Sequence, residues 1–303
     1  MPNLAQTLST TIGQTLQGKG EAIELAITAL FASGHLLIED HPGVGKTLLA
    51  RSLARALDLP FQRVQCTADL LPADILGGQV YDPRTGQLSF QQGPVFTSVL
   101  LADELNRTPP RTQSALLECM AERSVTIGRA TYPLPDPFFV IATQNPEDAA
   151  GTYPLPESQL DRFLLRIHLG YPAPEFEASI LRTEDGHRLA AQSKPVASPQ
   201  DLLAARAQVD AVRCAPELVE LIVQLANRTR QLPDVRLGVS TRGAQALHRA
   251  CRARAVVRGR DYVVPDDVRT LLVPAWGHRL QLQGSSDATA VLDDLLAATK
   301  LPD

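Results

Sequence analysis

Five short apolar runs mark the first half of the chain: His35–Glu39, Pro60–Cys66, Ser98–Glu104, Phe138–Asn145 and Leu164–His168. Each is too short for a stable helix and is closed by polar or turn residues, so each reads as a buried strand. The spacing between them is helical. Ala22, Ile23, Leu25, Ala26, Ala29, Leu30 and Phe31 recur on one face until Ser33-Gly34 ends the run. Leu48, Leu49, Leu53, Ala54 and Leu57 form a second helix, and Ala115, Leu116, Leu117, Cys119 and Met120 a third behind Pro109-Pro110. Strands alternating with helices predict a parallel α/β sheet of five strands. Two stretches break the rhythm. Gln79–Asp82 and Gln87–Phe90 alternate around the turn Pro83–Gly86, and Ser124–Pro133 alternates around Gly128, so two β-hairpins are expected. Thr67–Leu76 reads as a short capped helix.

Tyr171-Pro172-Ala173-Pro174 ends the strand pattern, and a boundary is placed there, giving an α/β domain over 1–172 and an all-helical domain over 173–303. The helical domain is expected to open with a helix from Pro174 to Leu189. A second is capped by Ser198 and runs towards Val209. A third starts at Ala215-Pro216 with Leu218, Leu221, Ile222, Leu225 and Ala226 inward. A fourth is capped by Ser240 or Thr241 and continues to about Val257, and a last starts at Pro265-Asp266-Asp267.

Composition adds limits. The 303 residues, 44% hydrophobic and 20% charged, suit a folded protein of about two domains. A net charge of −4 argues against a chain whose main task is gripping nucleic acid. The cysteines Cys66, Cys119, Cys214 and Cys251 are scattered without metal-ligand spacing and read as reduced thiols. No apolar run approaches a membrane span and no signal pattern opens the chain, so a cytoplasmic protein is expected.

The chemistry gathers at strand ends. After the first strand come Asp40, His41, Pro42, Gly43, Val44, Gly45, Lys46, Thr47 and Leu48. A glycine-containing loop between a strand and a helix offers backbone amides and a helix N-terminus to a polyphosphate. Lys46 reaches β/γ-phosphates and the Thr47 hydroxyl suits Mg²⁺. The usual P-loop pattern begins with glycine, and here that position is Asp40. The third strand delivers Asp103 to support the metal and Glu104 to deprotonate an attacking water. Asn145 ends the fourth strand, where it either senses a γ-phosphate or opens an Asn-Pro turn. Arg162 is either a surface arginine or a guanidinium for a neighbouring subunit's phosphate. Arg242, in the first turn of a helix whose N-terminus disfavours cations, is either offset by a partner anion or an exposed arginine pointing away. Gly18, in Gln17-Gly18-Lys19, is either a turn or a neighbour of the base.

Taken together, these stretches resemble an AAA+ ATPase of the MoxR family over roughly residues 17–280. The resemblance rests on Ala68–Ile75, Gly93–Phe96, Leu100–Arg107, Thr112–Glu118, Ala142–Pro146, Gly151–Glu157, Leu160–Phe163, Gly259–Val263 and Pro265–Val268. It implies that Asp40–Thr47 is Walker A, that Asp103 and Glu104 are Walker B, and that Asn145 is sensor 1. Arg162 would be the arginine finger and Arg242 sensor 2. The first hairpin would be the helix-2 insert and the second the pre-sensor-1 hairpin. The resemblance implies ATP and Mg²⁺ as cofactors, a hexameric homo-oligomeric ring, and a chaperone-like partnership with a von Willebrand factor A domain protein. Gln17-Gly18-Lys19 departs from the family's Val-Gly-Gln, and Gly-Val-Ser-Thr-Arg replaces Gly-Ala-Ser-Pro-Arg before sensor 2. The rival readings are a nucleic-acid motor like the minichromosome-maintenance helicases, a metal-chelatase ATPase subunit, and a non-hydrolysing nucleotide-dependent scaffold.

Overall fold

A computed structural model describes residues 3–84, 86–146, 151–182, 186–284 and 287–300. Two helices, α1 (Leu4–Thr15) and α2 (Gly20–Phe31), open the chain. Strand β1 (Leu36–Glu39) leads through the glycine loop into α3 (Lys46–Ala56), then β2 (Phe61–Gln65) and α4 (Pro72–Leu76). The first hairpin is β3 (Gly77–Asp82) with β4 (Gln87–Gln92); of its expected turn, Thr85 lies outside the described residues. Next come β5 (Val99–Asp103), a 3₁₀ turn at Leu105–Arg107 and α5 (Pro110–Glu122). The second hairpin is β6 (Ser124–Ile127) with β7 (Ala130–Pro133). Strand β8 (Phe139–Gln144), α6 (Glu157–Leu160) and β9 (Leu165–Ile167) complete the α/β region.

The sheet order is β2-β5-β8-β1-β9, with all four pairings parallel. Alternation along the strands sorts their side chains between two cores. Leu36 and Ile38, Val99 and Leu101, and Phe139 and Ile141 join one apolar cluster, which α1, α2 and α3 cover. Leu37, Leu100, Ala102, Val140 and Ala142 join the other, which α5 covers. The same alternation carries Asp103 and Thr143 to the α3 side at the carboxyl ends of β5 and β8. Those ends are where an open parallel sheet receives ligands.

The remaining helices are α7 (Pro174–Arg182), α8 (Gly186–Gln192), α9 (Pro199–Ala211), α10 (Pro216–Thr229), α11 (Thr241–Val257) and α12 (Pro265–Trp276). A two-stranded ladder, β10 (Val235–Leu237) with β11 (Gln281–Leu282), and a final helix α13 (Ala288–Ala297) were not legible in the pattern. The single helix expected over Pro174–Leu189 is described as α7 and the start of α8; residues 183–185 between them lie outside the described set. The expected caps form: Ser198 Oγ accepts from the Asp201 amide and Ser240 Oγ from that of Gly243. The α3-side core runs on without interruption into α9–α13, from Ala5 to Leu295. Buried Arg254 of α11 ties Asp266 and Asp267 of α12 to Glu24 of α2.

His35, just before β1, is a buried joint between layers. Its Nδ1 accepts from the Val140 amide at 3.0 Å, which leaves Nε2–H to donate to the Met120 carbonyl at 3.2 Å. The bond to Nδ1 requires the neutral ring, because a protonated ring has no acceptor. Burial lowers its pKa to about 4, against a weaker upward pull from the Met120 carbonyl. The unfolded chain therefore takes up a proton between about pH 6.5 and 4 that the fold refuses, and stability falls as pH drops through that window. Urea unfolding at about pH 7 and about pH 5 checks this: His35→Gln should lose part of the acid-side decline in stability. An unchanged decline would remove His35 from the account.

Candidate functional site

The loop between β1 and α3 is shaped by backbone freedom at two glycines. Gly43 has φ +84° and Gly45, the N-cap of α3, φ +101°, a region that side-chain-bearing residues rarely adopt. The loop forms one wall of a cleft of about 460 Å³. Pro42, Gly43, Val44, Gly45, Lys46, Thr47 and Leu48 all line it, and Arg63, Gln65, Asp103 and Glu104 face them. Leu16, Pro172, Ile180 and Leu189 supply apolar surface to the same cleft. The cleft thus offers polar groups that suit a polyphosphate and apolar surface that suits a base.

Lys46 Nζ donates to the Asp40 carbonyl at 2.6 Å. Burial lowers the pKa of its ammonium, while Asp103, Asp40 and Glu104 pull it back up. The Asp40 side chain lies outside the cleft. Its Oδ2 accepts from the amides of Leu169 and Gly170 at 2.5 and 2.7 Å, and its Oδ1 from the amide of His41 at 3.0 Å. A carboxylate in place of the usual glycine thus clamps the loop to the chain leaving β9. His41 lies beside Tyr171, with ring centroids 6.1 Å apart and nearly parallel planes.

The two carboxylates after β5 are held by separate partners. Thr143 Oγ1 donates to Asp103 Oδ1 at 2.6 Å and accepts from the Glu104 amide at 2.8 Å. Arg63 Nε and Nη2 both donate to Asp103 Oδ2, at 3.1 and 2.7 Å. Glu104 Oε2 accepts from Gln65 Nε2 at 3.0 Å and from Arg107 Nη1 at 3.1 Å. The Glu104 backbone is left-handed, with φ +58°. Such backbone strain is held where surrounding contacts over-determine it, and here it accompanies a carboxylate on the wall of the cleft. Arg63, Gln65 and Thr143 were missed in the sequence, because only strand register places them beside Asp103 and Glu104; Arg107 reaches Glu104 locally, three residues on in the 3₁₀ turn. Thr47 and Asp103 bring a hydroxyl and a carboxylate into one cleft, hard oxygen donors of the kind Mg²⁺ takes.

Other expected residues lie outside this cleft. Gly18, at φ +73°, faces Phe176 so closely that a Cβ would come within 2.6 Å of the ring, while its neighbours Gln17 and Lys19 line the cleft. Asn145 is buried at the end of β8, and its carbonyl accepts from Asn106 Nδ2 at 3.4 Å. Arg162 and Arg242 line a separate groove of about 300 Å³, together with Arg123, Arg249 and Arg279. Arg162 Nη1 donates to the Leu117 carbonyl at 2.7 Å, and its buried Nε has no partner among the described residues. The anion that offsets Arg242 is Asp161, 3.6 Å away. Asp161 also binds buried Arg279 at 2.7 Å. Among the described residues no cluster of His, Cys, Asp or Glu could hold a metal ion without other donors, and no helix is long and apolar enough to cross a membrane.

Comparison with known proteins shows the family and the fold. Residues 35–165 match the ATPase family associated with various cellular activities (AAA), and residues 227–296 match the AAA lid domain. The uncharacterized protein YeaC of Bacillus subtilis is 43% identical over 96% of this chain and 92% of its own. Chaperone MoxR1 of Mycobacterium tuberculosis is 40% identical over 89% of this chain and 74% of its own. The crystal structure of a candidate ATPase from Cytophaga hutchinsonii superposes with a TM-score of 0.90 at 36% identity, covering 98% of this chain and 94% of that one. By its match to the AAA family model and its identity to relatives named MoxR, the chain belongs to the MoxR family of AAA+ ATPases.

Proposed function

We propose that the chain hydrolyses ATP to ADP and phosphate between subunits of a homo-oligomeric ring and uses that cycle to remodel partner proteins. The observation that carries this reading is the division of the machinery between two surfaces. Lys46, Thr47, Asp103 and Glu104 share the nucleotide-sized cleft, while Arg162 and Arg242 share a groove that does not include it. A guanidinium that lines an open groove and has no place in its own subunit's cleft is suited to a neighbour's phosphate.

In this reading the loop amides and Lys46 bind the triphosphate, and Thr47 and Asp103 hold Mg²⁺. The metal, when bound, neutralises charge that develops on the phosphate oxygens. Glu104 accepts the proton of the attacking water, and Gln65 and Arg107 keep its carboxylate oriented. Asn145 positions water or senses the γ-phosphate, and Arg162 and Arg242 offset charge from the adjoining subunit. The name Chaperone MoxR1 carried by one relative supports the remodelling role. The family resemblance supports a hexamer and a von Willebrand factor A domain partner, and the net charge of −4 weighs against a nucleic-acid track.

Glu104→Gln should keep ATP affinity and lose about a hundredfold or more in turnover, read by fluorescent-nucleotide binding beside phosphate release. Hydrolysis close to wild type would remove Glu104 from the base role. Arg162→Ala should bind ATP and hydrolyse it poorly, and mixing it with Lys46→Ala should restore turnover at interfaces that pair an intact cleft with an intact Arg162. No recovery across mixing ratios would place Arg162 outside a neighbour's site.

A further inference from the structure

Asp103 has two carboxylate oxygens, and the fold assigns them differently. Oδ1 accepts from Thr143 Oγ1, a hydroxyl that the Glu104 amide holds in place. Oδ2 is held by Arg63, through Nε at 3.1 Å and Nη2 at 2.7 Å. Asp103 itself is buried at 7% exposure, whereas the Arg63 side chain is 45% exposed on β2, the edge strand of the sheet. Arg63 lines the same cleft as Lys46 and Thr47. Its Nη2 also donates to Gln65 Oε1 at 2.6 Å, an acceptor that would remain if it left Asp103.

We propose that Arg63 is a positioning residue that competes with the divalent cation for Asp103, so that metal binding requires the Arg63 guanidinium to move aside. This rests on the nucleotide site proposed above and adds its regulation. The physical case is a contest between two cations for one carboxylate oxygen. A guanidinium that donates twice to a single oxygen leaves little of that oxygen's charge for a metal or its bound water. The Thr143 hydroxyl oxygen is kept beside the other oxygen by the Glu104 amide, whose backbone is left-handed. Arg63 is the mobile member, because an exposed side chain on an edge strand exchanges protein partners for water at little cost. A subunit lacking the metal therefore keeps its acidic pair charge-balanced. The metal concentration at which nucleotide is captured is raised by the strength of the Arg63–Asp103 pair.

The test is a magnesium titration of fluorescent ATP binding, with Arg63→Ala, Arg63→Lys and Arg63→Gln compared with wild type and with Lys46→Ala. Arg63→Ala and Arg63→Gln should lower the Mg²⁺ concentration for half-maximal binding about three- to tenfold. Arg63→Lys, a point charge without the planar fork, should fall between them and wild type. Gln keeps an amide donor for Gln65, so it tests the idea should Ala disturb the strand. An unchanged magnesium midpoint in both Arg63→Ala and Arg63→Gln overturns the inference. A raised magnesium midpoint also overturns it, because Arg63 would then assist nucleotide capture rather than oppose the metal. Failure of the wild type to bind nucleotide at any magnesium level, equal to Lys46→Ala, would instead overturn the nucleotide-site reading itself.

Discussion

A parallel sheet buried on both faces can offer polar chemistry only where its strands end, and this constraint arranges the rest of the molecule. Asp103 and Thr143 follow runs that are fully apolar, and alternation alone brings both to the side of the sheet where α3 begins. From there a single hydroxyl links Asp103 to the amide of Glu104. Sliding β5 by one residue against β8 would turn Asp103 towards the opposite core and put Ala102 in its place. Register here is as much a requirement of the site as of the fold.

The glycine loop shows how a departure from pattern is absorbed. Its first position carries Asp40, whose carboxylate would crowd a phosphate if it turned inwards. It turns outwards and accepts three backbone amides, two of them from the segment after β9. Its carbonyl stays in place and receives Lys46. The substitution anchors the loop to the chain just before α7, which contributes Ile180 to the lining of the cleft.

The helical region is joined to the sheet by polar contacts laid over a shared apolar core. Asp161 takes Arg279 and Arg242, and His278 Nε2 pairs with the Phe163 carbonyl at 3.1 Å. Arg162 lies between those two attachment points in the chain. A movement of α11 or of the segment after α12 would therefore be felt beside Arg162. The Arg254 cluster ties the same helices to α2.

Much of this was legible in the amino-acid order because it is local. Apolar runs of strand length, a Gly-Lys-Thr at a helix start, Asp-Glu after a buried strand and Gly-containing hairpin turns are each written within a few residues. So were the caps at Ser198 and Ser240, since an N-cap bonds only two or three residues ahead. The tertiary structure decided what depends on distant segments. Arg63 and Gln65 became partners of Asp103 and Glu104 through the pairing of β2 with β5, and nothing near them in sequence marks them. The counter-ion of Arg242 came from Asp161, eighty-one positions earlier in the chain. The short β10–β11 ladder and α13 escaped notice because two or three residues carry too little periodicity to separate a strand from a loop, and α13 has few inward positions. Local pattern determined which elements form and which chemistries are available. The register of the sheet and the docking of the helices decided which charges meet, because a side chain's partner across space is set by packing rather than by its neighbours in the chain.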